Sequence, residues 1–592
     1  MTDNPRASSP RQSRRRFVGL AGMAVSGAAV VTGVLSIRRG APPATLPVPS
    51  TERVPPTPAV TPTRPSEVAR ATPNVQAFAG IEEASVGILG QALDRRQVSS
   101  AELVTEMVAR IEAMDAELDG GDGLRALIEL NPEAGEIAAA LDEELAAGRR
   151  RGPLHGIPVL LKDTFATADQ MHTTAGSLAL VDNRGATDAF VVERLRGAGV
   201  IILGKTNLTE WSAFRASRRS SGWSGRGGQT RNPYQRNMSP WGSSSGSAVA
   251  VAASYAPLAL GVETDGSIIC PASGCGIVGF KPTVGLASRS GVVPISFTQD
   301  SPGPMARSVE DVALLLTAIA GYDRSDPAYG RTDWSAPASM FEEFPVHNAG
   351  AVDYTRYLDP AGAKGARVGI CRSLFGMDSD ADDIAEESLA ALEAAGAVLV
   401  DDVSIPSQGE LGADGTGYAV LLTEFTYGLD RFLETYLPDG PIQSLADIVE
   451  FNEAHPEEEM AYSDQAIFLD ALEAGSIQDD TYARIVANNL SLAREQGLDA
   501  VMEELELDAL VAPSAPVPTT IDLWGDDFAG ASTKPTAMAG YPIITVPAGY
   551  ANGLPVGLSF MGRAFSEPTL LTLASAFERE HPVRIPPEYR NG

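Results

Sequence analysis

Lysine is nearly missing from this chain: five residues against forty arginines in a length of 592. The simplest account is a compositional bias accompanying a solvated acidic surface; a high-salt habitat is the sharper alternative. Acidic residues dominate, with 76 Asp and Glu and a formal net charge of −31. Residues 1–40 hold seven Arg and a single Asp, so the remainder carries about −37. A body of that sign argues against nucleic acid or an anionic membrane as its partner. Cysteine is also scarce, limited to Cys270, Cys275 and Cys371. The C-x4-C spacing is not a zinc pattern and no histidine cluster accompanies it, so packing is the expected role. No internal repeat is present, and no second membrane-spanning candidate follows the apolar stretch Val18 to Ile37.

That first stretch belongs to a targeting pattern. Ser13-Arg14-Arg15-Arg16-Phe17-Val18 matches S-R-R-x-F-hydrophobic, the twin-arginine signature, and Arg38-Arg39 closes the mildly apolar, Gly- and Ala-rich run behind it. Residues 1–40 therefore read as a twin-arginine signal segment, the rival being a basic patch before a membrane anchor. This route exports folded proteins, which places the protein outside the cytoplasmic membrane. No clear A-x-A site follows, so the segment is either cleaved elsewhere or retained as an anchor, the one expected membrane contact. Residues 41–77 are interrupted by proline throughout and read as an extended, disordered linker.

The folded part is expected from Phe78 to the end, residues 78–592. Val86, Leu89 and Leu93, then Leu103, Met107, Val108 and Ile111, recur at helical spacing, and Ser99 with Glu102 forms a capping signal for the second run. Leu124 to Leu130 reads as a strand, Ala134 to Ala147 as a helix, Ala189 to Ala198 as a helix and Val200 to Leu203 as a strand. Further on, Arg367–Ile370, Asp382–Ala395 and Val398–Val400 give a strand-helix-strand unit. Glu424–Leu437 and Tyr482–Leu505 read as helices, Ile543–Gly549 with Gly553–Phe560 as a hairpin, and Thr569–Glu580 as a closing helix. This alternation indicates an α/β fold, a twisted sheet covered by helices on both faces.

Chemistry concentrates between Ser239 and Thr283. The turn Gly242-Ser243-Ser244-Ser245-Gly246-Ser247 opens a run of small apolar residues of helical length, Leu258 to Val262 reads as a short buried strand, and Thr264-Asp265-Gly266-Ser267 is a second tight turn. Serines on turns at the ends of regular elements expose a hydroxyl together with unpaired backbone N–H groups. A base is available upstream, where the apolar strand Gly156 to Asp163 contains Lys162. Burial disfavours the ammonium form, and a neutral lysine is a competent general base for serine. Taken singly, Ser243 reads as a helix N-cap, Lys162 as a surface residue at a strand end and Ser267 as a turn residue. Their order and spacing give the combination its meaning.

Lys162, Ser243 and Ser267, with 24 residues between the serines, resemble the lysine, cis-serine and nucleophilic serine of the amidase-signature family. The likeness extends to His155-Gly156-Ile157-Pro158, Thr173 to Ser177, Gly204-Lys205-Thr206-Asn207, Gly279 to Thr283 and Gly303 to Ser308. It covers roughly Phe78 to Pro586. Gly222 to Ser224, Arg231 to Pro233, Gly261 to Ser267 and Pro294 to Asp300 are most similar to the bacterial peptide amidases. The resemblance implies one large folded unit rather than the several domains that length alone suggests. It implies a cis peptide before Ser243 and amide hydrolysis through an acyl-enzyme. In that scheme Ser267 attacks, Ser243 relays the proton, neutral Lys162 accepts it, and the N–H groups of Thr264, Asp265, Gly266 and Ser267 hold the oxyanion. It implies no metal, no organic cofactor and no obligate subunit, a small-molecule or peptide amide substrate, and structural roles for Asp163, His155 and His172. Peptide C-terminal amides are the expected substrates, with fatty, aryl or cyclic oligomer amides as alternatives.

Other readings compete. Gly242-x-Ser244-x-Gly246 fits the nucleophile elbow of α/β-hydrolases, which needs an Asp and a late histidine such as His455 or His581. A phosphate-cradling loop is weaker still, since no Gly-Lys-Ser/Thr follows the serine turn. A catalytically dead binding homologue would be expected to lose the lysine or the nucleophile. The basic loop Arg215 to Asn237 is read as a wall of the cleft ahead of the serine turn, rather than a nucleic-acid contact.

Overall fold

A computed structural model describes residues 78–118, 121–326, 352–528 and 530–591. They belong to one of two units into which the chain divides, residues 75–592. The signal segment expected at 1–40 and the linker expected at 41–77 lie outside the described residues.

Eleven strands form one mixed sheet: β1 Leu127–Leu130, β2 Pro158–Lys162, β3 Ile201–Thr206, β4 Leu258–Glu263, β5 Val278–Lys281, β6 Ser301–Ala306, β7 Arg367–Cys371, β8 Val398–Val403, β9 Ala509–Pro513, β10 Ile543–Ala551 and β11 Leu554–Met561. Their order is β8-β7-β9-β11-β10-β5-β6-β4-β2-β3-β1. At one side β3, β2 and β4 run parallel, and at the other β8, β7 and β9 do. Antiparallel pairings of β5, β6, β10 and β11 join the two parallel groups. Strands β2 to β6 and β9 are buried along their whole length. Burial on both faces is why they read as near-continuous apolar runs rather than alternating ones. The expected hairpin is β10 with β11, and the expected strand-helix-strand unit is β7, the helix Ser379–Ala394 and β8.

The helices form where the pattern places them. Ser99 and Glu102 close the capping box of the helix Ser100–Met114: the Glu102 N–H donates to Ser99 Oγ at 3.2 Å, and the Ser99 N–H donates to the Glu102 carboxylate at 2.8 Å. The small-residue helix Ser245–Ala252 is buried throughout and packs on β4, while the helix Ile269–Gly274 packs on β10 and β11. One expected helix is interrupted. Tyr482–Leu505 divides into Asp480–Ala493, a wide turn over Arg494–Leu498 and Asp499–Glu504. The break centres on Gly497 (φ −119°, ψ −106°), where a Cβ would lie 2.9 Å from Ser407 Oγ. Ser407 donates to the Leu492 carbonyl at 2.5 Å, capping a carbonyl at the break.

Between β8 and β9 the chain builds a helical layer that includes Thr416–Tyr436, Leu445–Ala454 and Ala466–Leu472. Phe425, Leu429, Phe432 and Phe468 form an apolar cluster with Trp211, Phe214 and Ile295, separate from the cluster around the sheet. Among the described residues, no helix is long and apolar enough to cross a membrane.

Candidate active site

Lys162 is the last residue of β2, and its side chain is fully buried. Nζ donates to Ser243 Oγ at 2.7 Å and to the Val262 carbonyl at 3.2 Å. Burial pulls its pKa from 10.5 down to about 7, against the opposing fields of Asp300 and Glu263. A strand that delivers an ammonium into the interior thus brings the pKa of the amine down toward neutrality.

Ser243 follows a cis Gly242–Ser243 peptide bond and stands just before the helix Ser245–Ala252. Position 242 has no room for a side chain, because a Cβ there would collide with Thr209 Oγ1. Position 246 is equally closed: a Cβ would meet the Asn207 backbone nitrogen at 2.6 Å. The neighbouring hydroxyls are occupied elsewhere. Ser244 Oγ donates to the Val262 carbonyl and accepts the Val262 N–H, each at 3.2 Å, and Ser245 Oγ donates to the Trp241 carbonyl at 2.5 Å.

Ser267 lies at the end of the second turn. The Ser244 N–H donates to its carbonyl at 3.0 Å, which ties the two serine turns together. Gly266 takes a left-handed conformation (φ +80°), and a Cβ there would lie 2.9 Å from Cys270 Sγ. Among the described residues, none of the backbone N–H groups of Thr264, Asp265, Gly266 and Ser267 has a protein acceptor. The side chains around them are fixed. Thr264 Oγ1 donates to Asp300 at 2.5 Å, Thr533 Oγ1 donates to Asp265 at 2.6 Å, and the Glu263 carboxylate accepts the N–H groups of Ile268 at 2.7 Å and Ile269 at 2.9 Å. Burial raises the pKa of the Glu263 and Asp300 carboxyls.

Ser243, Ser267 and the whole turn Thr264 to Ser267 line one cavity of about 580 Å³. Its walls come from distant parts of the chain. Ser217, Arg218, Arg219 and Ser221 belong to the loop expected to border the cleft; Thr209, Ser212, Ala213 and Phe214 border a left-handed turn through Trp211 to Ala213 (φ +51°, +54° and +71°). Leu421 comes from the helical layer, and Asp526, Phe528, Thr533 and Lys534 from the segment before β10. Sequence reasoning assigned none of these last five to the site, since nothing local marks them.

The supporting residues behave as expected. The Asp163 carboxylate accepts the N–H groups of Thr174 and Gly176, each at 3.3 Å, holding the adjoining loop. His155 Nε2 bonds to the Leu141 carbonyl at 3.0 Å, and His172 Nδ1 to Glu129 at 2.9 Å. All three cysteines are free and buried, though Cys270 also touches the cavity beneath Gly266. The elbow reading fails on geometry: His455 Nδ1 is engaged with the Phe451 carbonyl at 2.9 Å, His581 Nε2 with Ala548 at 2.8 Å, and neither lines the cavity. Two further lysines, Lys205 and Lys281, are also fully buried. Lys205 Nζ donates to the carbonyls of Phe165 and His172, each at 2.8 Å, and Lys281 Nζ to the Tyr541 carbonyl at 2.7 Å. Both clamp loops beside the site.

A family model described as Amidase matches residues 102–571, and the chain belongs to the amidase-signature family. It is an amidase, hydrolysing the C–N bond of a carboxamide, and within the family it is most like the bacterial peptide amidases. A peptide amidase of Stenotrophomonas maltophilia is 45% identical, with a TM-score of 0.78 over 86% of this chain and 99% of its own. A peptide amidase solved with the competitive inhibitor chymostatin is 46% identical, with a TM-score of 0.79 over the same shares. A probable amidase of Arabidopsis thaliana is 38% identical over 515 residues, 86% of this chain and 92% of that protein.

Proposed function

We propose that Ser267 is the nucleophile, Ser243 the proton relay and Lys162 the base, acting on the C-terminal amides of peptides and releasing ammonia. The observation that carries this reading is the 2.7 Å hydrogen bond between Ser243 Oγ and an amine buried completely at the end of β2. Neutral Lys162 takes the Ser243 proton as Ser243 takes that of Ser267, whose Oγ bonds to the amide carbon. The carbonyl oxygen becomes an oxyanion facing the open N–H groups of the turn Thr264 to Ser267. Loss of one such donor typically adds ~3 kcal/mol to a barrier. The tetrahedral adduct collapses as the amide nitrogen collects the proton by the reverse route and leaves as ammonia. Water then attacks the acyl ester by the same relay and frees the acid. The cavity of about 580 Å³ has room for the end of a peptide, and the peptide amidases among the similar structures support that substrate class.

The test is ammonia release from a panel of peptide C-terminal amides, fatty amides and anilides. Turnover is expected on the peptide amides, falling by about 10⁴-fold or more in Ser267→Ala. Turnover confined to the other amides would replace the substrate class and leave the triad standing.

A further inference from the structure

Two exposed cations stand at the cleft. Arg218 and Lys534 both line the cavity that contains Ser267, and both are exposed. Among the described residues, neither makes a salt bridge or a side-chain hydrogen bond. Elsewhere arginines facing carboxylates are used up: Arg151 holds Glu144, Arg196 holds Asp169 and Asp188, and Arg372 holds Glu386 and Asp401. In a chain of charge −31 that has only five lysines, a lysine and an arginine lining one cavity without a salt bridge or side-chain hydrogen bond among the described residues are conspicuous.

Two carboxylates line the cavity as well. Asp265 is exposed, accepts Thr533 Oγ1 at 2.6 Å and lies in the field of Lys534, and Asp526 accepts the Ser221 N–H at 2.7 Å. A third cation, Arg219, also lines the cavity, with Nη1 donating to the Ala216 carbonyl at 3.1 Å. The two walls approach from separate segments: Arg218 from the loop before the serine turn, Lys534 from the first residue of the helix Lys534–Ala539. The cavity is thus lined by three cations, Arg218, Arg219 and Lys534, against the two carboxylates Asp265 and Asp526.

We propose that Arg218 and Lys534 make the enzyme selective for peptide amides with a carboxylate close to the scissile bond, such as an acidic side chain on the residue carrying the amide. This rests on the peptide-amide reading above and adds the charge of the preferred substrate. The two residues act on binding and orientation, not on bond making. The protein's overall negative charge does not decide the matter, since in physiological salt fields are screened beyond about 8 Å and the groups bordering the substrate dominate.

The experiment measures kcat/KM for ammonia release from three N-acetylated tripeptide amides differing only in a C-terminal Glu, Leu or Lys. The full chain is compared with Arg218→Glu, Lys534→Glu and the neutral forms Arg218→Gln and Lys534→Gln. Wild type is expected to prefer the Glu amide over the Lys amide by about tenfold. The Gln variants lower that ratio, and the Glu variants reverse it, an inversion that a loss of folding does not produce. Equal kcat/KM for all three substrates in wild type, or a ratio unmoved by the charge reversals, overturns the inference while leaving peptide-amide hydrolysis intact. Absence of turnover on all three overturns both.

Discussion

At the scale of single residues the proposed relay depends on Lys162 being free to accept a proton. An exposed lysine is fully charged at neutral pH and useless as a base; full burial brings its pKa to about 7. The sign of the pH dependence follows. Below that value Lys162 is an ammonium and the relay is blocked, and above it the amine is free. The kcat/KM profile is therefore expected to rise with pH through about 7 and level off above it, since this parameter reports the free enzyme. A profile flat through neutrality would remove Lys162 as the base. Gly242 and Gly246 show the same dependence on space. Each lies where a Cβ meets neighbouring atoms, so the serine turn tolerates only glycine there.

At the scale of elements, the helical layer between β8 and β9 closes over the cavity and is anchored by buried carboxylates. Glu424, on the helix Thr416–Tyr436, accepts the hydroxyls of Thr298 at 2.9 Å and Tyr482 at 2.5 Å, the Thr298 N–H at 3.1 Å, and the hydroxyl of Ser296. The Ser296 N–H in turn donates to Asp300 at 2.9 Å, next to the turn that carries Ser267. Arg215 links the layer from the other side, with Nη1 donating to the Glu459 carbonyl and Nη2 to Ser463 Oγ, each at 2.5 Å. Glu424→Ala leaves several buried donors unpaired. It is expected to cost about 2–3 kcal/mol of stability in chemical denaturation, with Glu424→Gln recovering part of the loss. Wild-type stability in the alanine variant would show that this anchor is idle.

At the scale of the whole molecule, the sheet was legible because strands buried on both faces leave long apolar runs, and Lys162 stood out as a charge at the end of one. The serine turns were legible through Gly, Ser and small residues packed too densely for an ordinary loop. The break at Gly497 was not: the 3.6-residue pattern continues across it, and Ser407, which caps it, lies far away in sequence. The cavity walls were also hidden, because Phe214, Leu421, Phe528 and Lys534 converge only through folding. No local pattern distinguishes an exposed Lys534 at a helix start from any surface lysine.

The proposed acyl-enzyme carries a covalent bond at Ser267, and such a bond is directly observable. Wild-type protein quenched in acid during turnover of a slowly hydrolysed amide should carry the acyl mass on the peptide containing Ser267, and the Ser267→Ala variant should carry none. Acyl label on Ser243 or Ser244 instead, or a label that survives in Ser267→Ala, would contradict it.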